Sequence, residues 1–394
     1  MRPVLPVSLL AHSVLLQALS YALRPAVSYD VLHLDAGSSW LGVVAAAFAL
    51  PPLLTALFAG NLNDRLGERT SLLLGSVACL LATSVCLLAG RTLVGLISGS
   101  VLLGLGMLFA IVGQQAWVMR AAGAGRLDSS FGLYTLATSS GQLLGPLALL
   151  LPGAGSADSA SLPVVGPVLL VASLVCVGLA AAVPAADGRA ARDVPAEEEA
   201  PARPGELLRR RGVLRALATS SLVLASLDVT VAYLPLLAQE RGLSPAWTAG
   251  LMVARGGATM VSRLGLSALT GALGRRRVLV AGSGFAALGL GTLALPAPAA
   301  VLLVSVLVYG LAAGTVQPLT MSWMTLITSP RQRGVTASLR LVGNRVGQTL
   351  VPLVVGAVST GGGAAVAFAA TGSSLVLSAW CARAAPEGDA RSAR

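Results

Sequence analysis

The sequence predicts an all-α membrane protein with twelve transmembrane helices in two pseudo-symmetric six-helix bundles. Of its 394 residues, 55% are apolar and only 11% are charged, with a mean hydropathy of +0.81. Soluble domains usually carry about 25% charged residues. Apolar runs of about 20 residues, the length that crosses a bilayer, recur along the whole chain. The two halves of the chain also resemble each other. These observations exclude an ordinary soluble domain.

The apolar runs are numbered here as spans 1 to 12 in chain order. The first follows Arg2 like a signal peptide, but it contains Gln17 and Arg24 and leads directly into a second run. We therefore expect it to be a retained helix. The spans are predicted at residues 5–30, 39–60, 70–90, 92–118, 130–151, 162–184, 214–238, 246–269, 278–296, 299–327, 335–358 and 363–382.

The basic residues predict the orientation of the spans. All 27 are arginine, and the formal charge is +11. Most lie at the termini or in loops on one side of the predicted membrane, whereas only Arg91 and Arg241 lie in loops on the other. By the positive-inside rule, both termini are expected in the cytoplasm and the protein in the cytoplasmic membrane. The basic charge thus reports topology, and we expect no nucleic-acid partner.

The chain divides into two similar halves joined by a polar segment. Residues 185–213 are rich in Ala, Pro, Glu and Arg and predict a cytoplasmic linker between a bundle at 1–184 and a bundle at 214–394. A regulatory segment is the alternative. An offset of 206 or 207 residues aligns the halves, as parallel repeats would. Aligned pairs include Gly67 with Gly274, Gly104 with Gly310, and Gly141 with Gly347.

A charged turn between spans 2 and 3 is the most specific motif. Residues 60–70 read GNLNDRLGERT between two uncharged runs. Glycine allows close backbone approach or positive φ, so Gly60 and Gly67 are expected to shape the turn. Its candidate functional residues are Gly60, Asp64, Arg65, Gly67 and Arg69.

This turn resembles motif A of the major facilitator superfamily, which joins helices 2 and 3. Glu68 departs from the pattern, because a basic residue usually stands there. The resemblance implies that the motif holds the cytoplasmic side closed and that Asp64 is a conformational latch, pairing with an arginine or a helix N-terminus. An ordinary charged turn between membrane helices is the alternative.

Span 5 carries a second motif. Gly141, Gly145 and Pro146 form Gly-x-x-x-Gly-Pro, which allows close helix contact and bends a helix. The motif resembles the core of motif C in the drug:proton antiporter branch of the superfamily. The Gly pair that usually follows is absent, and Ser100 in span 4 replaces the basic residue of motif B. A purely structural packing seam is the alternative.

Charged residues within spans are expected to be functional, because burying charge in a membrane is costly. Asp228 lies near the middle of span 7 and is the best candidate for proton coupling. Arg255 in span 8 and Arg24 in span 1 are its candidate partners. A fixed ion pair between Asp228 and Arg255 that only holds two helices together is the alternative.

Polar side chains at helical spacing predict a wet central pathway, because they cannot face lipid cheaply. Interhelical hydrogen bonding without substrate contact is the alternative. The pathway candidates are Gln17, Tyr21, Gln114, Gln115, Thr138, Gln142, Gln317, Asn344, Arg345 and Gln348.

These features predict a secondary transporter that moves a small solute by alternating access. No phosphate-binding loop motif indicates ATP as the energy source. The resemblance to the antiporter branch favours proton-coupled efflux of small or drug-like compounds. Alternatives are a sugar or metabolite transporter, or a non-transporting membrane protein such as a receptor, scaffold or enzyme. The expected partners are a small-molecule substrate, protons and the lipid bilayer. We expect a monomer with no cofactor, metal or disulfide.

Overall fold

A computed structural model of the chain describes residues 5–121, 127–151, 161–184, 204–210, 212–328 and 333–386. These residues contain fourteen α-helices and no strand. The helices are α1 Val7–His33, α2 Ser39–Leu66, α3 Glu68–Ala89, α4 Leu93–Ala121, α5 Leu127–Leu144, α6 Leu162–Ala182, α7 Pro204–Arg209, α8 Val213–Glu240, α9 Pro245–Leu264, α10 Leu266–Leu273, α11 Arg275–Leu293, α12 Ala299–Ile327, α13 Arg333–Ser359 and α14 Gly363–Ala382.

Twelve of the described helices correspond to the predicted spans, and the predicted fold class is confirmed. Spans 1 to 6 are α1 to α6. Span 7 is α8, span 8 begins with α9, and spans 9 to 12 are α11 to α14. Within the described residues, nine helices contain a stretch long and apolar enough to cross a membrane by length and composition. The helices α5, α9 and α11 fall short of that measure, since Gly, Ser, Thr and Arg lower their hydropathy.

Three boundaries differ from the sequence prediction. Helix α2 continues through Leu66, so the predicted turn at 60–70 is reduced to a break at Gly67. The charged residues before Gly67 do not end the helix, because polar side chains are compatible with helix outside an apolar core. Span 8 is divided into α9 and α10 at Gly265. Span 5 changes at Gly145 into a 3₁₀ segment, Gly145–Leu150, where Pro146 cannot donate an α-helical hydrogen bond.

The chain folds into two compact units. The first, unit 1, comprises Met1–Gly37, Ala47–Glu198 and Arg241–Gly250. Within it α3 packs along α4 and α6, while α1 packs against α5 and α6. The second, unit 2, comprises Ser38–Ala46, Glu199–Glu240 and Leu251–Arg394. There α8 packs against α13 and α14, and α11 packs against α12 and α14.

The two units repeat the same backbone geometry at the predicted offset. Gly67 precedes α3 with φ +85° and ψ 164°, and Gly274 precedes α11 with φ +81° and ψ 150°. This region of backbone space is essentially restricted to glycine. In both units a single glycine therefore turns the chain into the next long helix, from α2 into α3 and from the short α10 into α11.

Close helix crossings repeat in the same way. A Cβ atom added to Gly104 in α4 would lie 2.1 Å from the carbonyl oxygen of Phe48, and one added to Gly310 in α12 would lie 2.4 Å from that of Arg255. Glycine therefore lets α4 touch α2, and α12 touch α9, backbone to backbone. Because Phe48 and Arg255 are themselves offset by 207 residues, the internal repeat predicted from sequence is present in the packing.

Candidate functional site

The polar centre of unit 2 lies where α8, α9, α12 and α13 meet. Asp228 is only 5% exposed, and its Oδ2 accepts a hydrogen bond of 2.7 Å from Nε2 of Gln348. Arg255 is 3% exposed. Tyr309 lies within electrostatic range of both charged side chains, and its hydroxyl is 2.7 Å from Oγ of Ser226. The structure thus brings two of the proton-coupling candidates, Asp228 and Arg255, into one buried cluster.

A second group of polar contacts in unit 2 links α8, α12 and α13. Gln317 donates through Nε2 to the carbonyl oxygen of Ser220 at 2.8 Å. Nη2 of Arg340 donates to Oε1 of Gln317 at 2.8 Å and to its carbonyl oxygen at 3.0 Å. Asn344, one turn after Arg340, is 5% exposed. We call Ser220, Gln317, Arg340 and Asn344 the arginine seam.

In unit 1 the Gly-x-x-x-Gly motif of α5 packs against the polar face of α1. A Cβ atom on Gly141 would lie 2.1 Å from the carbonyl oxygen of Val14 and 2.8 Å from Cβ of Gln17. One on Gly145 would lie 2.5 Å from the carbonyl oxygen of Ala18. The motif thus fixes how α1 crosses α5.

Arg24 in α1 of unit 1 is positioned by the second helix. Its guanidinium carbon lies 4.4 Å from the centre of the Phe48 ring, which is a cation–π contact. Gly104 packs on the backbone of the same Phe48. This contact places the third proton-coupling candidate in a unit other than that of Asp228.

A buried histidine network in unit 1 was not predicted from the sequence. His12 is fully buried, and its Nδ1 accepts from Nε2 of Gln114 at 2.9 Å. Nε2 of His12 therefore carries the proton and donates to Oγ of Ser76 at 2.8 Å. Tyr134 donates to Oε1 of Gln114 at 3.1 Å. The amide nitrogen and the amide oxygen of the pathway candidate Gln114 are thus both hydrogen-bonded, in a network that joins α1, α3, α4 and α5.

In each unit a carboxylate near the end of one long helix, α1 or α8, binds the start of the last helix, α6 or α14. Oδ1 of Asp30 in α1 accepts hydrogen bonds from the backbone of Ser161 at 2.5 Å and Leu162 at 3.2 Å, at the start of α6. Glu240 in α8 accepts from the backbone of Ala364 at 3.0 and 3.2 Å, at the start of α14. Both carboxylates satisfy helix N-terminal amides and favour the positive end of the helix dipole.

The α2–α3 turn of unit 1 is held by an arginine that the sequence analysis did not connect with it. Nε of Arg120, at the end of α4, lies 2.6 Å from Oε1 of Glu68. Its Nη2 lies 4.0 Å from Oδ1 of Asp64, whose side chain is 76% exposed. The acidic residue that departs from the motif A pattern is therefore the closer ionic partner. Arg69 donates to the carbonyl oxygen of Ala181 at the end of α6.

The predicted role of Gly60 in shaping this turn is not observed. Gly60 lies within α2, its φ is not positive, and a Cβ atom added there would have no neighbour within 4 Å. The turn depends on Gly67 instead, since α2 extends past the predicted boundary. Arg65 is exposed beside it.

The remaining pathway candidates are distributed over both units. In unit 1, Tyr21 and Gln142 are half-buried, Thr138 is buried, and Gln115 is exposed next to the buried Gln114. In unit 2, Arg345 is half-buried in the middle of α13. Among the described residues, no group of three or more His, Cys, Asp or Glu side chains could hold a metal ion.

An internally duplicated bundle of membrane-length helices with charged and polar groups at mid-span defines a polytopic membrane protein of the transporter class. The sequence pattern of the Major Facilitator Superfamily matches residues 9–270 and 256–393. The chain therefore belongs to this superfamily. A sequence comparison with curated proteins gave no match.

Solved transporters share the fold along nearly the whole chain. A D-xylose–proton symporter matches with a TM-score of 0.74 and 17% identity, over 98% of this chain and 99% of its own. The inward-open xylose transporter XylE from E. coli matches with a TM-score of 0.77 and 16% identity, over 97% of this chain and 96% of its own. The nucleoside transporter NupG matches with a TM-score of 0.75 and 16% identity, over 94% of this chain and 96% of its own. At these identities the similarity establishes the fold alone.

Proposed function

We propose that this protein is a secondary active transporter that moves a small polar solute across the cytoplasmic membrane by alternating access and couples this movement to protons at Asp228. The observation that carries the proposal is the buried cluster of Asp228, Gln348, Arg255 and Tyr309 in the middle of unit 2. An ionisable residue inside a membrane span is by default a functional group. Membership in the superfamily supports the transporter class.

The hydrogen bond to Asp228 suits a group that gains and loses a proton. The charged carboxylate accepts from the amide nitrogen of Gln348. A protonated carboxyl group would donate, and rotation of the same amide would present its oxygen as the acceptor. In the proposed cycle, Asp228 takes up and releases the proton as the distance between its carboxylate and the guanidinium of Arg255 changes.

The solute class favoured by these polar centres is a sugar or another polar metabolite. Hydrogen-bonding groups such as Gln317, Asn344 and Gln348 suit hydroxylated solutes better than apolar ones. Solved relatives include transporters of D-xylose and nucleosides. Efflux of drug-like compounds is the second candidate. It is favoured by the close crossing of Gly141 and Gly145 with α1, followed by the 3₁₀ segment at Pro146, which fits the resemblance to motif C.

The orientation proposed for the chain follows from its arginine distribution. The excess of arginine on one side supports cytoplasmic termini and a cytoplasmic linker at 185–213, between halves at 1–184 and 214–394. Residues 185–203 of this linker lie outside the described part of the structure. We further propose that the protein functions as a monomer with its apolar outer surface in lipid.

Solute-dependent proton movement is the direct test of the proposed function. Purified protein in liposomes containing a pH-sensitive dye should move protons when xylose, uridine or ethidium is added, at rates at least several-fold above those in protein-free liposomes. Xylose or uridine would support the metabolite class, and ethidium the drug-like class. Binding of these solutes without solute or proton flux would contradict transport and favour a receptor.

The α2–α3 turn is proposed to act as the conformational latch. An exposed ion pair contributes roughly 0.2–1 kcal/mol, so Asp64→Asn should lower the transport rate by about 1.4- to fivefold. The affinity for solute should change by less than about twofold, because Asp64 is proposed to act on the cycle and not on the solute. The measurements are initial flux in liposomes and equilibrium binding in detergent.

Glu68→Gln is the matched control for the latch. Glu68 is buried and closer to Arg120, so its replacement should lower thermal stability, by about 1.5–3 kcal/mol for a lost charged hydrogen-bonding partner. Asp64→Asn should leave the melting temperature nearly unchanged. Flux equal to that of the unmodified protein in the Asp64 variant would remove the latch role.

A further inference from the structure

The helices of unit 2 carry more positive than negative charge along their lengths. Beyond the first and last turns of its described helices, the formally charged side chains are Asp228, Arg255, Arg340 and Arg345. Their formal charges sum to +2, because there is one carboxylate for three guanidinium groups. Charge buried in a membrane protein is costly unless it is balanced. An arginine in these helices that has no described carboxylate beside it is therefore a candidate site for a negatively charged ligand.

Arg340 is the arginine whose surroundings point to such a partner. Among the side chains that the structure describes, its hydrogen-bond partners are the two oxygens of Gln317, both bonded to Nη2. No described carboxylate lies within ion-pair distance of it. Its Nε is buried and makes no hydrogen bond there. Neutral oxygens thus fix the guanidinium and leave its charge uncompensated within the described part of unit 2.

Gln317 gives this arginine a defined position. The Gln317 amide is itself held by the backbone of Ser220 on α8. An arginine that only extended along its helix towards lipid headgroups would have an exposed head, whereas Arg340 is half-buried with Nε inaccessible. The guanidinium of Arg340 in α13 is therefore held in place by Gln317 of α12, which is itself bonded to Ser220 of α8.

Asn344 adds a second unsatisfied group on the same face of α13. It follows Arg340 by one helical turn, so the two side chains are neighbours. Oδ1 of Asn344 is buried and has no hydrogen-bond partner among the described residues. Buried polar atoms are nearly always paired in native proteins. An oxygen acceptor beside a cation fits a ligand that presents a hydroxyl donor next to a negative group.

We propose that the arginine seam binds a small hydroxylated anion, either a sugar acid or a phosphate ester, and that this anion is the transported solute. Guanidinium recognises carboxylate and phosphate through paired charge-assisted hydrogen bonds. In the complex, Arg340 binds the anionic group and Asn344 accepts from a hydroxyl of the same ligand. The inference rests on the proposed transport function, since it names the class of solute that the protein carries.

Ligand-induced thermal stabilisation of the purified protein in lipid-free detergent tests the binding step without requiring transport. The anionic probes are gluconate and glucose 6-phosphate, the neutral probes glucose, xylose and uridine, and the cationic probes ethidium and tetraphenylphosphonium. Gluconate or glucose 6-phosphate should raise the melting temperature and bind at least tenfold more tightly than glucose. Arg340→Gln should weaken anion binding at least tenfold, and Arg340→Lys less, since lysine keeps the charge without the planar fork.

Arg215→Gln is the matched control, because Arg215 lies at the start of α8 and outside the arginine seam. Its guanidinium carbon is 5.0 Å from the ring centre of Trp380. It should retain anion binding within about twofold. Anion binding without flux would refute the proposed transport function but keep the anion site. Flux of neutral or cationic probes that is unchanged in Arg340→Gln would refute the anion site but keep transport. Stabilisation by phosphatidylglycerol and by neither soluble anion would assign Arg340 to lipid and overturn the inference.

Discussion

Asp228→Asn is expected to abolish solute accumulation driven by a pH gradient while solute exchange continues. With one proton per solute, a gradient of one pH unit sustains at most about tenfold accumulation. Accumulation should fall to the equilibrium ratio in the variant, because an amide cannot carry the proton. Exchange of labelled for unlabelled solute should stay within about threefold of the original rate. Both quantities are measured in liposomes with the solute identified by the flux assay.

Asp30→Asn is the matched control for Asp228→Asn, because Asp30 is also a buried carboxylate but caps α6. It should lower thermal stability and leave coupling intact. A purely structural Asp228–Arg255 pair predicts instead a poorly expressed Asp228→Asn protein that is rescued by adding Arg255→Gln. Uphill transport on a pH gradient by a normally folded Asp228→Asn protein would place the coupling elsewhere.

Gly104→Ala and Gly310→Ala are expected to cause the largest losses of stability. At these positions the new Cβ atom would lie 2.1 and 2.4 Å from backbone carbonyl oxygens, so a whole helix must move. Overpacking of a tight core typically costs about 1–3 kcal/mol, and the cost should reach or exceed this range where the clash is with backbone. We expect a large fall in melting temperature or loss of folded protein, measured by thermal unfolding in detergent and by size-exclusion profiles.

Gly178→Ala in α6 and Gly284→Ala in α11 are the controls, because a Cβ atom at either position would have no neighbour within 4 Å. They should fold as well as the unmodified chain. Equal stability of the Gly104 and Gly178 variants would contradict the direct contact between α2 and α4, and with it the positioning of Phe48 beneath Arg24.

The sequence predicted the helices well, because hydropathy and glycine spacing are local properties. The offset between Gly104 and Gly310 predicted the repeat, and the structure shows a close helix crossing at both glycines. The end of α2 was wrong by several residues, since charged residues such as Asp64 and Arg65 mark the limit of an apolar run and not the limit of a helix. Only Gly67, with its positive φ, ends the helix.

The partners within the candidate site were harder to predict, because they depend on the rotation of each helix. Asp228 and Arg255 stood out as rare charges in apolar spans, and the structure places both within electrostatic range of Tyr309. His12 carried no motif, and its contacts with Ser76 and Gln114 join residues 64 and 102 positions away. Arg120 carried no sequence motif, and only three-dimensional packing shows that it binds Glu68.

The carboxylates of Asp30 and Glu240 bear on how the protein is assembled during synthesis. The amides that bind Asp30 lie 131 and 132 residues later in the chain, and the one that binds Glu240 lies 124 residues later. Each carboxylate therefore enters the membrane long before its partner leaves the ribosome. The first helix of a half cannot reach its final environment until the sixth has been inserted. We therefore expect each six-helix half to complete its folding as one unit during synthesis. Until then the insertion machinery would have to keep the acidic side chain out of contact with lipid.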